Sequence, residues 1–147
     1  MRLSNLADYA VVAMCAAARH AARGDADTRI SAARLAQEAG LPAPTVAKLA
    51  GKLTAAGLLD STRGAGGGLR LARPARDITL ADIVEAVEGP IALTACLETA
   101  PAECAFDHTC AVRPHWPIVN EKLRGALADI PLAQLATDKL ATEKEAA

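Results

Sequence analysis

Three cysteines, Cys96, Cys104 and Cys110, stand within fifteen positions and are separated by seven and five residues. Thiolates bind soft metals and exchange with disulfides, so such a group is where chemistry is to be sought first. Zinc knuckles space their cysteines by roughly two to four residues. The longer intervals here suit an iron-sulfur cluster, which is wider than a single ion. Such clusters usually take four thiolates, so three cysteines call for a fourth ligand of another type. A zinc ion completed by His108 or His115, a metal-free thiol switch, and three small apolar residues in a core are the competing readings. Glu103, Asp107 and His108 make the segment too polar for the last of these. Cys15 lies in an alanine-rich stretch, reads as a buried inert thiol, and stands outside the site.

The second feature with chemical meaning is a charge asymmetry hidden by a net charge of -1. Between Pro42 and Arg76 there are six bases (Lys48, Lys52, Arg63, Arg70, Arg73 and Arg76) against the single acid Asp60, a net of +5. From Asp77 to Cys110 there are seven acids and no Lys or Arg, and all three clustered cysteines fall in that acidic block. A local basic block can meet phosphate whatever the whole-chain charge.

The elements that must position these groups are mainly helical. Of the 147 residues 52% are hydrophobic, and the only aromatics are Tyr9, Phe106 and Trp116. The core is therefore built from Ala, Leu, Val and Ile, which favours packed helices over a β-sandwich. Ser4 is a natural N-cap for a first helix running to about Arg23, with Leu6, Ala10, Ala13, Met14 and Ala17 inward and with Gly24 and Asp25 ending it. Ser31 caps a second helix that stops at Gly40. Pro44 suits the first residue of a third, in which Val46, Leu49, Ala50 and Leu53 form the apolar stripe and Thr45, Lys48 and Lys52 the neighbouring one, before Gly57 closes it. Leu58 to Thr62 and Leu69 to Leu71 read as strands of a hairpin whose tip, Arg63 to Gly68, carries four glycines. Thr79 and Asp82 form a capping box for a fourth helix ending at Gly89. The cysteines then occupy an aperiodic loop. After Pro114 and Pro117, the residues Val119, Leu123, Ala126, Leu127 and Ile130 repeat at close to 3.5, as in a helix that packs on another helix. The expected organisation is 1–89 for the helical domain with its hairpin, 90–113 for the cysteine loop, 114–137 for a dimerisation helix and short extension, and 138–147 for a disordered tail.

Three helices followed by a basic hairpin is the order of a winged helix-turn-helix. Its third helix fits the major groove, and its wing reaches the adjacent backbone or minor groove. A nucleotide-binding loop would need a Lys-Ser/Thr after the glycines or a further glycine of the dinucleotide fingerprint, and neither is present. A winged helix used only for protein contacts is the other alternative, with Lys48 and Lys52 as a solvated face. No nucleophile stands with a base, so no enzymatic activity is expected. Asp8 and Tyr9 interrupt what would otherwise pass for a signal-peptide core. No segment has the length of a membrane span, and the cysteine usage fits a reducing cytoplasm.

The stretch Gly57 to Arg73, G-L-L-D-S-T-R-G-A-G-G-G-L-R-L-A-R, resembles the wing of the IscR/NsrR family of iron-sulfur transcription regulators. The opening M-R-L-S-N-L-A-D-Y-A, the segment I-T-L-A-D-I-V-E-A-V-E-G and the three cysteines are similar to that family in the same order, with the regulators of SUF-type iron-sulfur assembly operons nearest. The resemblance implies a homodimer joined by the C-terminal helix and bound to a double-stranded DNA operator. It also implies a 2Fe-2S or 4Fe-4S cluster that senses iron-sulfur status or oxidative or nitrosative stress. A nitric-oxide-responsive repressor of the same family, or a zinc or metal-free thiol switch, is the alternative. The candidate DNA-contacting residues are Ser31, Pro44, Thr45, Ala47, Lys48, Lys52, Arg63, Gly64 and Arg70. Arg63 is the one expected in the minor groove. Ala47 replaces a Glu that some members use and cannot accept a hydrogen bond from cytosine, so the operator should differ from theirs. In IscR-like members a histidine follows the third cysteine by three positions. Arg113 stands there instead, and a guanidinium has no lone pair to offer. Asp8 matches the position from which NsrR-like members supply a carboxylate across the dimer, and it is the expected fourth ligand ahead of His108 and His115.

Overall fold

A computed structural model describes residues 2–24, 27–97, 104–106 and 108–137. The expected disordered tail 138–147, together with Asp25, Glu98, Glu103 and Asp107, lies outside the described residues.

Helix α1 (Asn5–Arg23) is the spine. The Ala7 N–H donates to the Ser4 hydroxyl at 3.1 Å, which places the cap where the sequence puts it. Its buried side chains are almost all Ala, with Met14 the exception in size, so neighbouring helices approach its backbone closely. One side of α1 buries Ala10 and Met14 with Leu49, Leu53, Leu58, Ile78 and Ile83. Further along, Ala16 and Ala17 pack with Ile30, Leu35, Val46 and Leu69.

Helix α2 (Ala32–Ala39) is capped by Ser31, whose hydroxyl accepts from the Arg34 N–H, and it ends on Gly40 at φ 67°. Helix α3 (Ala43–Ala55) begins one residue before the expected Pro44. Pro42, fixed at φ -60° in an extended conformation, holds the cap position. Pro44 remains in the first turn, where a missing N–H costs no intrahelical bond. At the other end Gly57 adopts φ 75°. The Leu58 and Gly57 N–H groups return to the Leu53 and Thr54 carbonyls at 2.9 and 3.0 Å, the Schellman closure of a helix.

Strands β1 (Leu59–Thr62) and β2 (Gly68–Leu71) form an antiparallel hairpin in the register Leu59 to Leu71 and Thr62 to Gly68. Leu58 belongs to the helix closure rather than to the first strand. The hairpin is anchored at its root by Ile30, which exchanges both backbone hydrogen bonds with Leu69 at 2.9 and 2.7 Å. Helix α4 (Leu80–Glu88) opens on the expected reciprocal pair, with the Asp82 N–H donating to the Thr79 hydroxyl and the Thr79 N–H donating to the Asp82 carboxylate.

Helix α5 (Trp116–Ala128) contains no buried residue, and Ile118 and Val119 are 59% and 44% exposed. The short α6 (Leu132–Leu135) instead docks back on the core through Leu132, which has no exposed surface. Backbone bonds from Leu132 to Ile78 and from Leu80 to Ile130, at 2.7 and 2.9 Å, seal this return against the start of α4. Among the described residues no helix is long and apolar enough to cross a membrane. The architecture is thus mainly helical, a winged helix-turn-helix with a two-stranded wing and an apolar-faced C-terminal helix.

Candidate nucleic-acid interface and thiol segment

Amphipathic spacing turns Val46, Leu49 and Leu53 of α3 into the core and leaves Pro44, Ala47, Lys48 and Lys52 exposed, with Thr45 half-buried. Between this face and the wing lies an open groove of about 700 Å³, lined among others by Ser31, Ala47, Gly51, Thr62 and Gly64. Seven of the nine contact residues expected from the sequence line this groove or stand exposed on α3 and the wing beside it, and Thr45 lies half-buried in the first turn of α3. Arg63 is exposed at the wing tip, followed by Gly64 at φ 93°.

The ninth residue, Arg70, is placed differently. Its guanidinium pairs with Asp60 at 3.4 Å and also with Asp27, which the fold brings in from outside the basic block. Arg73 pairs with Asp82 at 3.6 Å, and Arg76 with Asp77 at 3.9 Å. Of the six bases counted along the sequence, Lys48, Lys52 and Arg63 have no acidic partner among the described residues. The positive patch is therefore narrower than the sequence count, and it coincides with the third helix and the wing tip.

Helix α4 and the turn Ala95–Leu97 place Cys96 half-buried, its Sγ 3.1 Å from the Thr94 hydroxyl. Cys104 is exposed and Cys110 half-buried, and none of the cysteines is in a disulfide. Asp8, His108 and His115 are exposed. Within the single chain, and among the described residues, no three His, Cys, Asp or Glu side chains stand close enough to hold a metal ion. The donor chemistry nonetheless fits an iron-sulfur group, because three free thiols lie on one segment with accessible carboxylate and imidazole groups elsewhere on the surface. Cys15 is buried in α1, and burial pushes its thiol pKa up, which leaves it a poor thiolate.

Two polar anchors of this segment have no signature in the sequence. The Asn120 side chain bonds the backbone of Ile91 and Leu93, and Arg124 grips Glu85 through two bonds of 2.8 and 3.0 Å. The only hint is an asparagine in the middle of a helix, where it is a poor former. The Arg124 guanidinium holds the Glu85 carboxyl below its ordinary value. Above the usual carboxylate range Glu85 is ionised in both the folded and the unfolded chain, and the stabilisation is complete. As the pH falls, the unfolded chain takes up the proton first, and the contribution is lost through the depressed folded value. Arg124→Leu is therefore expected to flatten the acid side of the stability profile, measured by urea unfolding from pH 3 to 7. An unchanged acid limb would show that the pair contributes nothing there.

The Rrf2 family, described as iron-dependent transcriptional regulators, matches residues 3–138 of the chain. The HTH-type transcriptional regulator IscR of Photobacterium profundum is 31% identical over 138 residues, covering 94% of this chain and 77% of that protein. Among solved structures, CymR, the global cysteine regulator of B. subtilis, superposes with a TM-score of 0.69 at 28% identity, covering 94% of this chain and 99% of that one. IscR of T. potens does so with a TM-score of 0.66 at 29% identity, covering 95% and 88%.

Proposed function

The chain belongs to the Rrf2 family of transcriptional regulators, and from that premise we propose that it is a dimeric DNA-binding switch whose operator affinity is set by an iron-sulfur cluster on Cys96, Cys104 and Cys110. The observation that carries this reading is the position of the three free thiols, on the segment that joins α4 of the DNA-binding head to the exposed apolar helix α5. A change at that segment acts on the joint between the reading head and the surface offered to a second copy. Ile118 and Val119 supply the apolar contact expected of a two-fold dimer, and Lys48, Lys52 and Arg63 supply the cations for a two-fold operator. Like its relatives, the chain is a regulator and not an enzyme.

When bound, the cluster supplies a redox- and ligand-sensitive centre whose loss releases the thiols. The fourth ligand is Asp8 of the partner's first helix, in preference to His108 or His115; its exposure on the first turn of α1 leaves it accessible to another subunit. Comparing Asp8→Ala, His108→Ala and His115→Ala for visible absorption and operator binding tests the assignment. Bleaching in a histidine variant, with Asp8→Ala unchanged, would transfer the role to that histidine.

A regulator of this kind requires different affinities in its two states. Cluster-loaded and cluster-free protein are expected to differ by at least ~10-fold on the same duplex, equivalent to about 1.4 kcal/mol. Iron and sulfide analysis of anaerobically purified protein separates a cluster from zinc or a metal-free thiol, and its visible and EPR spectra separate 2Fe-2S from 4Fe-4S. Equal binding by both forms would reduce the thiols to a structural role. The likeness to CymR favours a metal-free thiol switch as the second reading. It predicts an oxidant response in protein that contains no iron.

A further inference from the structure

A short run of hydrogen bonds leads from the Cys96 sulfur to both helices that flank its segment. Thr94 Oγ1 lies 3.1 Å from Cys96 Sγ. In that contact the hydroxyl can accept from the thiol S–H, whereas a sulfur whose hydrogen has been replaced by a covalent or metal partner has no donor left and can only accept. One residue earlier, the Leu93 N–H donates to Asn120 Oδ1 at 3.0 Å, and Asn120 Nδ2 donates to the Ile91 carbonyl at 2.8 Å. The side-chain amide thus acts as an extra strand residue, offering an acceptor and a donor to backbone groups two positions apart. On the other side the Ile91 N–H donates to Glu85 Oε1 at 3.3 Å, the same carboxylate that Arg124 holds. Residues 91–93 are therefore fixed to α5 through Asn120 and to α4 through Glu85.

We propose that Asn120 is the positioning residue through which the state of the Cys96 sulfur reaches α5. The proposal rests on the reading of the thiols as the sensing group. A change at the sulfur reverses or breaks the Thr94 contact and displaces Leu93, and the paired bonds of Asn120 carry the displacement to the helix with the exposed apolar face. Only an amide can make both bonds. A carboxylate has no donor for the Ile91 carbonyl, and alanine offers neither group.

The test uses the full chain, unmodified and after alkylation of its thiols with iodoacetamide, with Cys96→Ser treated in parallel to isolate the share of that sulfur. Hydrogen exchange is followed in peptides covering 91–97 and 116–124, and affinity is measured for a duplex selected by the unmodified protein from a random pool. In wild type, alkylation is expected to change exchange in both peptides by about fivefold or more, and in Cys96→Ser to leave α5 unchanged. In Asn120→Ala the 91–97 peptide should still respond while α5 no longer does, with the DNA affinity of unmodified protein within about twofold of wild type. Asn120→Asp keeps the acceptor for Leu93, loses the donor, and should respond in between; it also serves if the alanine variant does not fold. A full α5 response in Asn120→Ala, or none in wild type, overturns the proposal. If the relay behaves as described but operator affinity never depends on thiol state, the relay stands and the regulatory reading fails.

Discussion

Replacing Lys48, Lys52 and Arg63 together by alanine is expected to lower operator affinity by about 1,000-fold at 0.15 M salt and to reduce the slope of log affinity against log salt by about five for a two-headed complex. The reason is charge compensation in three dimensions. Each cation that meets a phosphate releases a condensed counterion, and only a cation without a carboxylate partner is free to do so at full strength. Lys48 and Lys52 stand exposed on α3 and Arg63 at the wing tip, without acidic partners among the described residues. Arg76 and Asp77 provide the control, because removing both deletes a pair of opposite charges. That double variant should bind within about threefold of wild type with the same salt slope. Arg70→Ala is a poorer control, since it would leave Asp27 and Asp60 without their cation and add uncompensated negative charge at the wing. Anisotropy titrations at several salt concentrations read both quantities. A triple variant with wild-type slope would mean that DNA meets another face.

The capping residues were legible because their chemistry is local. Ser4, Ser31 and Thr79 each precede an apolar run, and each hydroxyl receives the N–H three positions on. The hairpin and the ends of α2 and α3 were legible for the same reason, since glycines at Gly40 and Gly57 mark backbone that other residues avoid. Charge was read less well. The block from Pro42 to Arg76 counts as +5 along the chain, but Asp27 and Asp82 come to Arg70 and Arg73 from outside it. Linear spacing carries no record of such partners. The return of Leu132 to the core is a long-range contact of the same kind, and so is the clamp of Asn120 on residues 91–93. The cysteine spacing reported how many thiols are present and that they are unlike a zinc knuckle. It could not report whether they meet, because that depends on chain paths that no local pattern encodes.

Alanine at Gly68 is expected to destabilise the fold by about 3 kcal/mol, whereas alanine at Gly64 or Gly66 should cost about 1 kcal/mol, all by urea unfolding. The three glycines share positive φ values, 137°, 93° and 76°, so backbone strain alone would not rank them this way. Surroundings do. At Gly64 and Gly66 an added Cβ meets nothing within 4 Å. At Gly68 it would lie 2.7 Å from the Ile30 carbonyl oxygen and 3.0 Å from its carbon, both backbone atoms that cannot swing aside. Relieving that clash means separating Ile30 from Leu69, which breaks the two hydrogen bonds of 2.9 and 2.7 Å anchoring the wing root beside the cap of α2. Leu69, only 4% exposed, would lose its place against Ile30 and Val46 at the same time. The loss should therefore reach DNA binding as well as stability, because the wing that carries Arg63 keeps its place beside α3 only while its root is fixed. Gly64→Ala should remain folded and retain most of its affinity. Equal destabilisation at the two positions would show that the wing root yields freely and that Ile30 does not anchor it.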